Sequence, residues 1–290
     1  MMTVLFQLAT RMRRFCLVAF LTALVSPAIS GADASNRVAT PIQHGFSSMY
    51  NLDFVTAHRD FDAWQKLHPE DPMGPACHAA AYLFTEFERL GVLESQLFTD
   101  DKRFDNRQKL SPDPQVKNMI NAELDQADSL AAKALAKDAN DANAQFAKVL
   151  SLGLRSDYAA LVEKRNLVAI RYTKQGRALA EQLLKQNPNA YDAYLAVGVE
   201  NYLSGIEPAP VRWLMAAGGV ETDKAQGIHD LELTAAHGDL LAPFARLLLA
   251  VAALRDKEPA KACSLLSGLS SDYPHNPLYP REFSQNHCGT

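Results

Sequence analysis

The sequence predicts an all-α fold in which antiparallel helix pairs stack in succession. Three observations predict it. A short junction rich in Pro, Asn and Asp recurs along the chain. Each junction follows one amphipathic stretch rich in Ala and Leu and precedes another. Small residues fall at fixed distances upstream of each junction.

The junctions are His68-Pro69-Glu70-Asp71-Pro72, Asn187-Pro188-Asn189-Ala190 and Tyr273-Pro274-His275-Asn276-Pro277, with Asp138-Ala139-Asn140-Asp141 as a fourth in which Ala replaces the first Pro. Proline cannot continue a helix, and Asn or Asp favours the next N-cap, so each junction ends one helix and starts another. Twelve residues upstream of the central Pro or Ala stand Ala57, Ala127, Gly176 and Ala262. Phe61, Ala131, Ala180 and Leu266 follow one helical turn later. Small residues at such places let two helices cross closely, where a larger side chain would push them apart. Pro259 falls near the start of a helix, where a missing N–H costs little.

This pattern resembles the tetratricopeptide repeat, a 34-residue pair of antiparallel helices with small residues at fixed places and Pro near its end. Gly45, Phe61 and Pro69 match it in one register, Ala79 and Tyr82 continue it, and Tyr194, Val197 and Gly198 match the start of a later first helix. Trp64 departs from it, since a small residue is expected there. The resemblance implies an α-α superhelix, a right-handed solenoid of helix pairs, used for protein–protein interaction without a defined reaction. The domain then spans residues 38–283, with insertions at 93–117 and 204–221, a lengthened hairpin at 155–175 and a tail at 284–290.

The resemblance also places the first helix of each pair on a concave face. The residues it turns into that groove include Phe46, Met49, Tyr50, Leu83, Phe84, Phe146, Leu150, Leu195, Val199, Tyr202, Phe244 and Leu247. Almost no groove position carries charge, so the Lys, Arg and Asn set that clamps a terminal carboxylate is missing. Two readings stay open. The groove is filled by the insertions or the terminal helix, since so large an exposed apolar patch is unusual, or it receives an amphipathic helix, another subunit or a lipid-like ligand. Trp213, Leu214 and Met215 serve as a lid in either case.

The amino terminus reads as a secretory signal peptide over residues 1–30, followed by a linker at 31–37. Arg11, Arg13 and Arg14 precede the short apolar run 15–25, Pro27 breaks it, and small residues around Ser30 and Ala32 offer cleavage sites. The expected location is periplasmic or extracellular. No later segment is apolar enough to span a bilayer. Removing the leader takes away three Arg and shifts the formal charge from −4 to about −7, which disfavours nucleic acid as a partner. Cys77, Cys263 and Cys288 remain. Cys263 and Cys288 are candidates for a disulfide in an oxidising compartment, and Cys77 reads as a small buried hydrophobe.

No catalytic, phosphate-binding or zinc motif is present, and no cofactor is implied. His44, His58, His68 and His78 lie in one hairpin, yet their repeat places do not converge on one face. Glu86, Glu88, Asp230 and Glu232 read as solvated helix faces, and Glu200 as the one acid expected to be buried. The function expected is a non-catalytic scaffold of the bacterial envelope, or a secreted one, that binds a protein partner through an apolar groove. The alternatives are a secreted enzyme with an unrecognised site near Glu200, or a carrier of a hydrophobic small molecule. Homo-oligomerisation stays open.

Overall fold

A computed structural model describes residues 39–93, 110–206 and 223–288. The leader, the linker, the centres of both insertions, the Trp213-Leu214-Met215 segment and the last two residues lie outside them. Among the described residues there is no strand and there are eleven α-helices. These are α1 (Pro41–Tyr50), α2 (Phe54–Leu67), α3 (Met73–Arg89), α4 (Pro114–Lys137), α5 (Ala142–Asp157), α6 (Asn166–Gln186), α7 (Tyr194–Ile206), α8 (Lys224–His237), α9 (Ala242–Arg255), α10 (Pro259–Asp272) and α11 (Leu278–Gln285). A π turn at Tyr158–Val162 and a 3-10 turn at Tyr191–Ala193 complete the set. Each helix packs against the next along the chain, and α3 also touches α1 and α5.

All four junctions lie between helices, and they share one geometry. At His68, Asp138, Asn187 and Tyr273 the chain leaves its helix with φ between −127° and −141°, and the cap N–H still donates to the carbonyl four residues back. A turn bond of 3.0–3.1 Å then closes each junction: Asp71 N to His68 O, Asp141 N to Asp138 O, Ala190 N to Asn187 O, Asn276 N to Tyr273 O. The recurrence seen in the sequence is therefore a recurrence of backbone hydrogen bonds.

The small residues sit where neighbouring helices touch. Ala57, Ala127, Ala131, Ala180 and Ala262 are all buried. A Cβ on Gly45 would collide with the ring of Phe61, which packs T-shaped against Phe46 at 5.9 Å. The closest crossing joins α7 and α8, where a Cβ on Gly198 would lie 3.0 Å from Gly227 O, and one on Gly227 would lie 2.9 Å from Gly198 O. Trp64, the departure from the pattern, is half-buried and donates from Nε1 to Asp71 Oδ2 at 2.7 Å. Its bulk is absorbed at the junction rather than in the crossing.

Several boundaries differ from the sequence reading. The insertion expected at 93–117 ends earlier, because Asp113 caps α4 by accepting from Gln115 N and Pro114 occupies the first turn. The insertion expected from 204 begins later, since α7 runs to Ile206. The expected tail is partly helical, with α11 reaching Gln285. Glu86 and Asp230, read as solvated, are buried. Glu86 accepts from Arg89 Nε at 2.7 Å and from Asp113 N at 2.8 Å, so it ties α3 to the start of α4. Asp230 accepts from Gln226 Nε2 at 2.8 Å on α8 and faces Asn201 of α7. Both carboxylates are buried because they have partners, as buried charge requires.

Cys263 and Cys288 form a disulfide, with Cα atoms 5.4 Å apart. It fastens the end of the chain back onto α10. Cys77 is free and buried, and burial pushes its thiol well above the usual range.

Candidate functional site

The apolar stripe of α5 carries Phe146, Leu150 and Leu154 at helical spacing, one above the other on one face. Opposite that stripe stand Phe46, Met49 and Tyr50 of α1 and Phe84 of α3. Leu195 and Val199 of α7 and Phe244 of α9 complete the ring. These side chains enclose a cavity of about 110 Å3. Nine of the twelve groove residues expected from the sequence line it: Phe46, Met49, Tyr50, Phe84, Phe146, Leu150, Leu195, Val199 and Phe244. Leu83, Tyr202 and Leu247 do not. Leu83 is wholly inside the core, Tyr202 is buried against the α7–α8 crossing, and Leu247 is half-buried on α9.

Chain segments far apart in sequence meet beside the cavity. Tyr50 Oη donates to Leu240 O at 3.0 Å, Asn276 Nδ2 donates to Tyr50 O at 2.8 Å, and His275 N donates to Asn51 Oδ1 at 3.1 Å. Gln43 Nε2 also donates to Asp239 Oδ1 at 2.6 Å. Phe84 meets Phe244 edge to face at 5.8 Å, which bridges α3 to α9. Tyr50 and Tyr273 rings lie 5.4 Å apart. Burial, with Tyr279, Tyr273 and Asp192 nearby, pushes the Tyr50 phenol well above its usual range.

Two carboxylates line this mostly apolar space, and neither is singled out by the sequence. Asp192 accepts from the backbone N–H groups of Asp239, Leu240 and Leu241 at 3.2, 3.0 and 2.9 Å, and so caps the entry to α9. Burial raises its pKa while those three bonds oppose the rise. Asp157 is the last residue of α5 and continues its stripe one turn beyond Leu154. Burial alone pushes its carboxyl up to about 7. The signal that would have found it is the stripe itself, since an acid in the next inward position of an apolar helix face is out of place.

The histidines behave differently from their repeat places. His58 of α2 and His78 of α3 do come together, Nδ1 to Nδ1 at 2.9 Å, with Tyr82 against the His58 ring. His78 Nε2 lies 3.4 Å from Asp62. Burial, helped by the neighbouring His78, lowers the His58 pKa to about 4, and burial lowers that of His78 as well. His44 pairs with Asp60 and His68 packs on Trp64. Among the described residues no group of three or more His, Cys, Asp or Glu is placed to hold a metal.

Glu200 is buried, as expected. Burial raises its pKa, and Arg177 Nε stands 3.8 Å away. It does not line the cavity. No family model, curated protein or solved structure matches this chain.

Proposed function

We propose that this chain is an exported, non-catalytic binding module, built as a tetratricopeptide-like superhelix, that holds a protein partner by taking an apolar group of it into the cavity. The observation that carries the reading is the convergence of nine expected groove residues, from α1, α3, α5, α7 and α9, on one space. Its volume of about 110 Å3 suits one side chain or a short apolar stem rather than a whole helix. An apolar pocket with a few polar groups at its edge is the usual form of a recognition site. Export to the periplasm or the cell exterior is supported by the leader's composition, and the Cys263–Cys288 bond fits an oxidising compartment.

A second reading, a carrier of a small hydrophobic molecule, is favoured by the same volume. An apolar protein cavity of roughly 150 Å3 holds benzene. Site-specific photo-crosslinking separates the protein-partner reading from the others. A crosslinker at Val199, which lines the cavity, should trap a partner in the cell envelope. The same group at Val55, 84% exposed on α2, should not. Equal trapping from both positions, or none from Val199, would overturn it.

A further inference from the structure

An apolar guest leaves one feature of the cavity unused. Asp157 lines it, yet among the described residues its carboxyl has no hydrogen bond or ion pair. Its neighbours on the wall are already engaged. Ser156 Oγ donates to Ala169 O at 3.1 Å and lies 2.8 Å from Thr173 Oγ1, which itself bonds Ala169 O. Asp192, the other acid on the wall, is occupied by three backbone N–H groups. Among the described residues, no Lys, Arg or His lines the cavity. Asp157 is half-buried, and a carboxylate partly withdrawn from water on a cavity wall, with no partner among the described residues, is placed to receive a cationic group.

Two further observations bear on that placement. The chain leaves regular α geometry immediately after Asp157, in the π turn Tyr158–Val162, where Glu163 N reaches back to Tyr158 O at 3.1 Å. Such turns are rare and concentrate at functional sites. The walls also carry aromatic rings, from Phe46, Phe84, Phe146, Tyr172 and Phe244. Aromatic faces attract cations, most strongly where water is excluded.

Resting on the reading that this cavity is the binding site, we infer that its guest is an alkylammonium group of butyl size, with the stem among the phenylalanine rings and the ammonium on Asp157. The ammonium supplies the charge that Asp157 lacks, and the stem matches the volume. Among the described residues, a carboxylate guest would meet two acids and no base. The same chemistry comes from two sources, a free primary amine or the side chain of a lysine on a partner protein.

The test is an NMR titration of the uniformly 15N-labelled protein at pH 8, following the amides of Gly153 and Gly176 on the wall. Butylammonium, 1-butanol and butyrate are the probes. Butylammonium should bind at least tenfold more tightly than 1-butanol, butyrate should be the weakest, and Asp157→Asn should abolish the preference. Gly153→Leu should block the amine and the alcohol together, because a Cβ there meets nothing within 4 Å and the side chain can enter the cavity mouth. If 1-butanol binds as well as butylammonium, or Asp157→Asn leaves amine affinity unchanged, the ammonium assignment is wrong and the cavity reading stands. If none of the probes binds, both fall. Tighter binding of a lysine blocked at its α-amino and carboxyl groups than of butylammonium assigns the site to a partner's lysine, and the reverse order to a free amine.

Discussion

Tyr50 Oη lies 3.0 Å from the carbonyl oxygen of Leu240, a residue 190 positions further along the chain. The bond is buried, and it joins the first helix pair to the turn that opens α9. Replacing Tyr50 by Phe keeps the ring contacts with Phe46 and Tyr273 but strands the Leu240 carbonyl. Leaving such an acceptor unsatisfied costs about 1–3 kcal/mol. The expected outcome is an unfolding free energy lowered by about that amount, read as a lower urea midpoint at unchanged m. An unchanged midpoint would show that this bond does not help hold α1 to the turn before α9.

The α7–α8 crossing has no room for a side chain. A Cβ on Gly227 would stand 2.9 Å from both Gly198 O and Tyr202 Cα, and these are backbone atoms that cannot rotate away. Gly227→Ala should therefore cost about 1–3 kcal/mol by overpacking, despite alanine's better helix propensity. Gly153→Ala, in mid-helix with open space around it, should instead stabilise by about 0.5–1 kcal/mol. Thermal melts of the pair check both signs at once.

The junctions and the crossing residues were legible in the sequence because Pro, Asn and small side chains act locally or between adjacent helices. Pro69, Pro188 and Ala57 could each be assigned from a few neighbours. The closing contacts could not, since nothing near Tyr50 announces Leu240 or Asn276. Asp157 escapes a sequence reading that takes residues 155–175 as a lengthened hairpin, because the helix in fact runs on to Asp157. Glu86 and Asp230 looked like surface acids because the partners that permit their burial, Asp113 N and Asn201, sit on other helices. The His58–His78 pair was missed for a related reason: repeat places describe ideal faces, whereas two long side chains at the edges of adjacent faces can reach one another.

The Cys263–Cys288 bond closes a loop of 25 residues at the end of the chain. A crosslink of that span contributes about 3 kcal/mol, mainly by restricting the unfolded chain. The double variant Cys263→Ser, Cys288→Ser should lower stability by about that much and free α11 from α10. Hydrogen exchange should then rise in Leu278–Gln285 before it rises in α3 or α5. Uniform exchange across all helices would contradict a role confined to this end.

Two sets of groups set the pH dependence, and they act in opposite directions. The His58 pKa, lowered to about 4, means that the folded protein disfavours its charged form. Its contribution is complete above the unfolded value near 6.5 and is lost as the pH falls towards 4; His78 adds to it with the same sign. Asp157 is an acid raised to about 7, so its contribution is complete below the unfolded value near 3.9 and is lost as the pH rises through 7. The two windows overlap between about pH 4 and 6.5, where the slopes oppose and largely offset one another; above pH 6.5 only the Asp157 loss remains, so stability should fall there. Asp157→Asn keeps the shape and removes the charge, so it should stabilise the empty protein at pH 8, on the order of 2 kcal/mol once partial solvent access is allowed for. At pH 5, where Asp157 is largely protonated in the fold, the gain should shrink. Urea unfolding at the two pH values measures the difference, and a gain that is equal at both would mean that the Asp157 charge is not the cause.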